Sequence, residues 1–323
     1  MAIDEFELID RYFCRETGAG VVLGIGDDGA LLDVPSGQQL VAVVDTSVAG
    51  VHFPSGLDPA DIGYRSVAVN LSDLAAMGAK PAWMTLALTL PASEPAWLEA
   101  FANGLFVAAD EHGVALVGGD TTRGSQIVVS VQLLGLLPAN TGLLRSGCQP
   151  GDGIYVSGTL GDAAAGLSLI QQAAAENELT ARFRRPSARV QLGQAVNGIA
   201  SAGIDISDGL FADLQRIVVA SGVGATIERS LLPVSAALVD FAGEESARRF
   251  ALEGGDDYEL CLTVPVAKDA EFRQVAAGLG VAVTRIGSAD NVAGLRLTDG
   301  GRVVEYSSAG YRHFSSQDTA QHD

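Results

Sequence analysis

Short apolar runs and amphipathic stretches alternate along the 323-residue chain, and glycines and prolines separate them. Apolar runs at 20–26, 30–34 and 39–46 predict three successive strands, and the Pro-Ser-Gly sequence at 35–37 predicts a hairpin turn between the second and the third. Residues 58–78 begin with an Asp-Pro pair and end at a glycine, which predicts a helix. The N-terminal part is therefore expected to combine strands with at least one long helix.

The same reasoning extends along the rest of the chain. Further predicted helices are Glu5–Arg15, Pro95–His112, one starting at Asp162, one starting at Pro186 and one closed by Gly222. Further predicted strands are 82–90, 114–120, 126–137, 154–158, 203–206, 225–228, 258–264, 283–287 and 295–299. Turn residues cluster at 145–153, and helices and strands mix without a strict βαβ rhythm. The sequence thus predicts two α+β domains, residues 1–148 and 149–323.

Composition and charge limit the classes of function. The chain is 48% hydrophobic and carries a net charge of −19, a globular composition whose charge repels nucleic acid and anionic membranes. No apolar run approaches the roughly 18 residues of a membrane span, and the acidic N-terminal segment does not resemble a targeting peptide. Three widely spaced cysteines favour reduced thiols over disulfides. We therefore expect a soluble, cytoplasmic protein that binds neither nucleic acid nor membranes.

The segment Gly24–Gly29, GIGDDG, has the glycine spacing of a dinucleotide-binding loop, and Asp45 lies near the position of the ribose-binding acid. Two observations oppose that interpretation. The residues after Gly29 predict a strand and a turn instead of a helix, and two adjacent carboxylates repel a pyrophosphate. The spacing also fails for an EF-hand, and the chain has no Walker A sequence. The paired acids favour a metal-binding turn.

Aspartates recur at the ends of strand-like runs or beside glycines. They are Asp28, Asp45, Asp120, Asp208, Asp256 and Asp257, while Asp73 lies in an apolar helical stretch with Asn70 on the same face. A turn or a helix cap explains any one of them, but the recurrence favours Mg²⁺, which takes carboxylate oxygens together with substrate phosphates. Residues 118–124, GGDTTRG, add glycines, hydroxyls and a guanidinium suited to phosphoryl transfer. Arg145 is another candidate phosphate ligand.

Seven segments, in this order, resemble thiamine-monophosphate kinases. They are GIGDDGALL, VDTSVAGVHF, AVNLSDLAAMGAKPAW, GGDTTRG, IDISDGL, GGDDYEL and the terminal GYRHF. The resemblance covers about residues 5–314 of the chain. The elements DLAAMGA and DGL alone indicate only the wider superfamily of aminoimidazole ribonucleotide synthetase-like, ATP-using enzymes, whereas the complete set indicates the thiamine family.

The resemblance implies a fold, an assembly and a reaction. The fold is the two-domain α+β fold of aminoimidazole ribonucleotide synthetase-like proteins, in which the N-terminal sheets of two subunits pair into a barrel across a homodimer. The reaction is transfer of the γ-phosphate of ATP to thiamine monophosphate, which gives thiamine diphosphate and ADP and uses several Mg²⁺ ions. The N-terminal domain would then bind ATP and Mg²⁺ and form the dimer.

The resemblance also implies roles for individual residues. The matched Mg²⁺ ligands are Asp28, Asp45, Asp73, Asp120 and Asp208; the ATP contacts are Gly119, Asp120, Arg145 and Ser207; the contacts to thiamine monophosphate are His52, Asp256 and Tyr311. Val43 and Val44 stand where the family often has hydroxyl residues, some of them metal ligands, so one metal position departs from the family pattern. Asp27 and Asp205 lie beside matched acids; we interpret Asp205 as a structural residue or as a support of the metal ligands, and the pattern assigns no role to Asp27. Without the resemblance, His52 beside Phe53 would be interpreted as a packed histidine.

The acceptor in this reaction is itself an ionised phosphate, so it needs no strong general base. The motifs contain no Ser-His or Cys-His pair, and we expect direct in-line, metal-assisted transfer without a protein nucleophile. Two alternatives stay open: another ATP-dependent enzyme of the superfamily, and a non-catalytic sensor that binds Mg-ATP without turnover. ADP release measured with and without thiamine monophosphate distinguishes the three.

Overall fold

The computed structural model describes residues 5–306 and Gly310. The first half of the chain forms α1 (Glu5–Tyr12), β1 (Val21–Leu23), β2 (Leu31–Leu32), β3 (Gln38–Val48), α2 (Pro59–Ala76), β4 (Lys80–Leu90), α3 (Pro95–Glu111), β5 (Ala115–Arg123) and β6 (Val128–Pro138). The second half forms β7 (Gly153–Ser157), α4 (Asp162–Gln171), α5 (Glu178–Arg184), α6 (Val190–Val196), β8 (Ala202–Asp205), α7 (Leu210–Ser221), β9 (Gly224–Glu228), α8 (Ala236–Glu253), β10 (Leu260–Val264), α9 (Asp269–Gly278), β11 (Val283–Asp290), β12 (Gly294–Asp299) and β13 (Arg302–Val304). Among these described residues, no helix is both long and apolar enough to cross a membrane.

The chain divides into two compact units. The first unit contains the described residues up to Leu143 together with Arg184–Gly198, and the second contains Leu144–Phe183 and the described residues from Ile199 onward. Each unit combines helices with a mainly antiparallel sheet. The chain is therefore a two-domain α+β protein, as the sequence predicts.

The first unit is built on a four-stranded sheet with the strand order β3-β6-β4-β5. β4 and β5 are parallel and are connected by α3, whereas the other neighbours are antiparallel. Buried side chains of β4, among them Met84 and Leu88, contribute to the core of this unit, and α2 contacts the sheet at β3, β4 and β6. α2 and α3 pack very closely: a Cβ at Gly104 would lie 1.8 Å from the carbonyl oxygen of Ala60, so only glycine allows this approach.

The segment Arg184–Gly198 is fixed to the first unit by charge and by a helix. Nε of Arg185 donates to Oδ1 of the buried Asp61 at 2.8 Å, and Nη1 of Arg184 lies 3.5 Å from Oδ2 of the same carboxylate. α6 then packs on α2. A buried carboxylate is stable only when it is paired in this way, so Asp61 anchors a segment that lies more than a hundred residues away in sequence.

The second unit contains a seven-stranded sheet with the order β13-β12-β9-β11-β7-β10-β8. β12 and β9 are parallel, and the other neighbouring strands are antiparallel. α7 contacts β8, β10 and β12, and its apolar side chains Leu210, Leu214 and Ile217 are fully buried in the core of this unit. β8 therefore forms one edge of the sheet, directly before the loop that leads into α7.

Several predicted elements need correction. The hairpin turn at 35–37 is wrong, because β2 pairs with β1 while β3 pairs along its whole length with β6. The first helix ends at Tyr12 instead of Arg15, and the helix predicted from Pro186 begins at Val190. α5 and β13 lack a strong local pattern and are not predicted. Long-range pairing and packing decide these elements, and a local pattern cannot reveal them.

Candidate active site

A cavity of about 530 Å³ in the first unit brings two predicted metal ligands together. α1, the 25–29 loop and strands β4 and β5 form its walls. Its apolar lining consists of Ile9, Phe13, Ile25, Leu86, Leu116 and Val117, and its polar lining includes Asp27, Asp28, Gly119, Asp120 and Thr121. A concave site with apolar walls and a few convergent polar groups is the usual form of a small-molecule site. This one suits a ligand with a flat apolar part and an anionic part bridged by cations.

Gly119 forms part of the wall of this cavity because two backbones approach closely there. It pairs with Leu86 across the parallel β4–β5 ladder, which contains a register shift at Met84–Thr85. A Cβ on Gly119 would lie 1.9 Å from the carbonyl oxygen of Leu86, so no other residue fits without moving a strand. The next residue, Asp120, is exposed, and the strand thus presents its carboxylate at the rim of the cavity.

Asp27 and Asp28 are both exposed in the loop between β1 and β2, but they differ in their hydrogen bonds. Oδ1 of Asp27 accepts the backbone N–H of Asp28 at 2.8 Å. This is a local turn contact that short acidic side chains commonly make. Asp27 therefore shapes the loop, which supports Asp28 as the metal ligand of the pair.

Asp45 and His52 lie at the other edge of the sheet, on β3 and in the loop that follows it. Asp45 is half-buried and pairs with Val131 of β6. Nδ1 of His52 accepts the N–H of Val48 at 3.0 Å, so in the neutral ring the proton is on Nε2. The side chain of Val44 is 60% exposed and offers no oxygen to a cation. Neither Asp45 nor His52 lines the cavity described above.

Asp73 lies on α2, where nearly every neighbour is buried. Asp73 itself is half-buried, and Asn70, one turn earlier, is fully buried. Nδ2 of Asn70 donates to the carbonyl oxygen of Ser66 at 3.0 Å. Within the part of the chain that the structure describes, Oδ1 of Asn70 has no hydrogen-bond partner. Because a buried polar atom without a partner is costly, this oxygen fits a site that water or a cation completes.

In the second unit, two site loops are joined by backbone hydrogen bonds. The N–H of Asp256 donates to the carbonyl oxygen of Ser207 at 3.0 Å, and the N–H of Tyr258 donates to that of Ile206 at 2.8 Å. The structure therefore places Ser207 and Asp208, which follow β8, directly beside Asp256, which precedes β10. These three predicted contacts come together although about fifty residues separate them in sequence.

A buried carboxylate supports the first of these loops. Oδ2 of Asp213 accepts the N–H of Ser207 at 3.0 Å and the N–H of Asp208 at 2.9 Å. Burial raises the pKa of Asp213 to about 7, although the hydrogen bond from Asp208 and the charge of Arg216 oppose the shift. Arg216 pairs with the carboxylates of both Asp208 and Asp213. The side chain of Asp208 is thus paired with a cation and remains partly exposed.

A second buried carboxylate supports the 256–258 segment. Both oxygens of Asp257 lie within 2.9 Å of the N–H of Gly161, and burial raises the pKa of Asp257 well above its usual value. The flanking residues Asp256 and Tyr258 have φ angles of 71° and 51°. Non-glycine residues adopt this left-handed conformation only where the surroundings impose it, so the segment around Asp256 is fixed in a strained shape.

The remaining predicted residues lie apart or outside the described residues. The carbonyl oxygen of Arg145 accepts a hydrogen bond from Ser221 at the C-terminal end of α7, whereas Asp208 precedes the N-terminal end of this 12-residue helix, about 18 Å away. The backbone of Arg145 is therefore distant from the 207–208 loop.

Tyr311 lies outside the described residues. Its neighbour Gly310 approaches Asp208, since a Cβ there would lie 3.3 Å from the Asp208 carbonyl oxygen.

Sequence reasoning missed Asp213 and the supporting role of Asp257. A usable signal existed for Asp213: it lies in an apolar helical stripe between Leu210 and Ile217, the same anomaly that singles out Asp73. No such signal marks Asp257, because its partner Gly161 lies almost a hundred residues earlier in the chain.

The chain matches known families along most of its length. The model described as "AIR synthase related protein, N-terminal domain" matches residues 26–137, and the corresponding C-terminal domain model matches residues 149–300. A relative named thiamine-monophosphate kinase, from Salmonella typhimurium, is 48% identical over 326 residues, which cover 98% of this chain and 100% of the relative.

Solved structures agree with these matches. The crystal structure of thiamine-monophosphate kinase from Stenotrophomonas maltophilia K279a has a TM-score of 0.85 and 44% identity, and covers 94% of this chain and 99% of its own. AaThiL complexed with AMPPCP and TMP has a TM-score of 0.77 and 33% identity, and covers 90% of this chain and 92% of its own. With a relative 48% identical over nearly its full length, the chain belongs to the thiamine-monophosphate kinase family and is a kinase.

Proposed function

We propose that this protein transfers the γ-phosphoryl group of ATP to thiamine monophosphate, which gives thiamine diphosphate and ADP. The observation that carries the proposal is the likeness to AaThiL complexed with AMPPCP and TMP, at 33% identity over 90% of this chain. The cavity lined by Asp28, Gly119 and Asp120 supports a nucleotide site in the first unit. Residues 1–148 would then form the ATP-binding, Mg²⁺-binding and pairing domain, and residues 149–323 the second α+β domain, apart from Arg184–Gly198, which belong to the first unit.

The oxygen donors of the first unit fit Mg²⁺. Asp28 and Asp120 share one cavity, and the buried Oδ1 of Asn70 lies one helical turn from Asp73. Among residues 5–306 and Gly310, no three His, Cys, Asp or Glu side chains group as a metal site, but Mg²⁺ commonly takes one or two carboxylates and completes its shell with water and phosphates. We assign Asp28, Asp45, Asp73, Asp120 and Asp208 as the residues that hold several Mg²⁺ ions. Bound there, Mg²⁺ would neutralise phosphate charge during transfer.

In this proposal the side chains bind and orient the reactants, and none acts as a nucleophile. An oxygen of the acceptor phosphate attacks the γ-phosphorus in line, and the bond from that phosphorus to the β-γ bridging oxygen breaks, so ADP leaves with the bonding pair. Gly119, Arg145 and Ser207 bind the nucleotide. His52, Asp256 and Tyr311 orient the thiamine phosphate, with the Nε2–H of His52 as a donor. The acceptor is already ionised, so no general base needs to be placed.

We also propose that the protein is a homodimer whose first units pair through β3. This strand is 11 residues long and lies at the edge of its sheet, and among the described residues a strand pairs with it on one side only. It exposes 45% of Leu40 and 60% of Val44. A long edge strand with exposed apolar side chains is a template for pairing with another chain. The mass of the purified protein in solution tests the pairing, because a dimer has twice the 33.2 kDa of one chain.

A coupled assay of ADP release tests the function. We expect release with Mg-ATP to depend on thiamine monophosphate, and thiamine without its phosphate not to replace it. ADP release without any acceptor would instead favour another ATP-dependent member of the superfamily. Binding of Mg-ATP without release under any condition would favour a sensor. Rapid quenching with labelled ATP adds a test of mechanism, since a labelled protein residue that forms and decays at the turnover rate would contradict direct transfer.

A further inference from the structure

The loop between β8 and α7 is supported from behind by a carboxylate that no motif identified. Asp213 is in the first turn of α7 and is fully buried. Its Oδ2 accepts the N–H of Ser207 at 3.0 Å and the N–H of Asp208 at 2.9 Å. Two hydrogen bonds to consecutive peptide groups fix the orientation of both planes. The direction in which the side chains of Ser207 and Asp208 leave the backbone is therefore set by Asp213.

Packing alone does not require a carboxylate at this position. Its helical neighbours Leu210, Leu214 and Ile217 are fully buried apolar residues, and an apolar side chain would be the less costly choice there. The charge is instead compensated by the two N–H donors and by Arg216, whose Nη1 lies 3.1 Å from Oδ1. Arg216 also pairs with Asp208. The two N–H groups that Asp213 accepts thus belong to the 207–208 loop, and the cation beside Asp213 also pairs with that loop.

The fixed loop in turn supports a second site residue. The carbonyl oxygen of Ser207 accepts the N–H of Asp256 at 3.0 Å, and that of Ile206 accepts the N–H of Tyr258 at 2.8 Å. A change in the peptide plane at 207 would therefore move the backbone of Asp256 as well. One buried carboxylate is linked in this way both to a nucleotide contact and to a substrate contact.

We infer that Asp213 is a positioning residue for phosphoryl transfer, an inference that rests on the proposed function. Its carboxylate holds the 207–208 backbone in the one conformation in which Ser207 and Asp208 meet the Mg-nucleotide. Asp213 touches neither reactant. Its loss is expected to weaken binding of the Mg-nucleotide and to raise the Mg²⁺ concentration needed for turnover, because the loop must then be ordered by the ligand itself.

Two variants of the full chain separate positioning from packing. Asp213→Leu replaces both acceptor oxygens by methyl groups on a side chain of the same branching, and Asp213→Asn keeps one oxygen that can accept the same two N–H groups. We expect Asp213→Leu to weaken binding of Mg-AMPPCP, measured by calorimetry, by about tenfold or more, the range found for supporting contacts of metal ligands. The Mg²⁺ concentration for half-maximal ADP release should rise in parallel. Asp213→Asn should restore both values to within about threefold of wild type.

Glu228→Leu is the matched control. Glu228 also accepts two consecutive backbone N–H groups, from Gly300 at 2.9 Å and Gly301 at 3.0 Å. These belong to the turn between β12 and β13, at the opposite edge of the sheet from β8. This control should lower the melting temperature and leave Mg-AMPPCP affinity unchanged.

Three results would overturn the inference: wild-type affinity in Asp213→Leu, equal losses in Asp213→Leu and Asp213→Asn, or failure of Asp213→Leu to fold, which would assign the carboxylate to stability. The proposed function fails separately, because wild-type protein that binds Mg-AMPPCP yet never responds to thiamine monophosphate would contradict the function alone. The affinities of the variants would still decide the role of Asp213.

Discussion

The two units present their site residues in different ways. In the first unit, Asp28 and Asp120 are exposed at the rim of a cavity, and close backbone packing at Gly119 shapes the strand beside them. In the second unit, Ser207 and Asp256 lie on two loops joined by backbone hydrogen bonds, which the buried carboxylates of Asp213 and Asp257 hold in place. The first unit therefore offers exposed side chains around a cavity, and the second offers loops that buried carboxylates support.

This difference explains which acids sequence reasoning finds. An acid that faces a ligand stands beside glycines or at the end of an apolar run, so its position is unusual in the sequence itself. An acid that holds a backbone is buried, and its partners lie elsewhere in the chain. Substitution of an exposed acid of the first unit should then lower activity with little effect on the free energy of unfolding. Substitution of a supporting acid of the second unit should lower both.

The largest expected effect comes from Asp120→Asn. The change removes the charge of a proposed metal ligand but keeps the shape of the side chain, and a loss of several kcal/mol of charge stabilisation lowers the rate about a thousandfold. Because Asp120 is exposed, the free energy of unfolding should stay within about 0.5 kcal/mol of wild type. Steady-state kinetics and urea unfolding measure the two quantities. A marked loss of stability would break the comparison between the units, and wild-type activity would remove Asp120 from the site.

A smaller effect is expected from the neighbouring pair Asp28 and Asp27. Asp28→Asn should lower kcat/KM by about tenfold to a hundredfold, since the proposed metal ligand loses its charge. Asp27→Asn should change it by less than about threefold, because the amide oxygen can still accept the N–H of Asp28. The two variants have the same chemistry at adjacent exposed positions, so each is the control for the other. Equal losses would show that both carboxylates hold metal and would contradict the structural role of Asp27.

Local sequence signals predicted the elements whose stabilising contacts are made between residues close in sequence. The start of α2 is an example, because Oδ1 of Asp58 accepts the N–H of Ala60 at 2.8 Å and Pro59 is the first helical residue. The hairpin at 35–37 failed for the opposite reason. β3 gains an 11-residue ladder with β6, which lies about ninety residues later, and no turn sequence beside β3 can indicate that partner.

The candidate site shows the same limit. The motif around Asp208 placed it correctly at a strand end before a helix, and the resemblance supplied its role. The adjacency of Ser207 and Asp256 depends on hydrogen bonds between distant segments, and the support from Asp213 depends on burial that the sequence shows only as an acid in an apolar stripe. The roles of all the site residues named from the sequence stay predictions, including those that the structure brings together.

The smallest expected effect sharpens the comparison at Glu228, whose carboxylate supports the turn between β12 and β13, at the opposite edge of the second unit's sheet from β8. Partial burial raises the pKa of Glu228, but hydrogen bonds from Gly301, Thr298, Ser230 and Gly300 outweigh it and hold the pKa at about 2, below the usual 4.5. A depressed pKa means that the stabilisation is complete above pH 4.5 and is lost as the pH falls towards 2. Wild type should therefore exceed Glu228→Gln in stability at neutral pH, and urea unfolding should show this difference shrinking as the pH falls below 4.5. A difference that stays constant with pH would show that shape, and not charge, supports this turn.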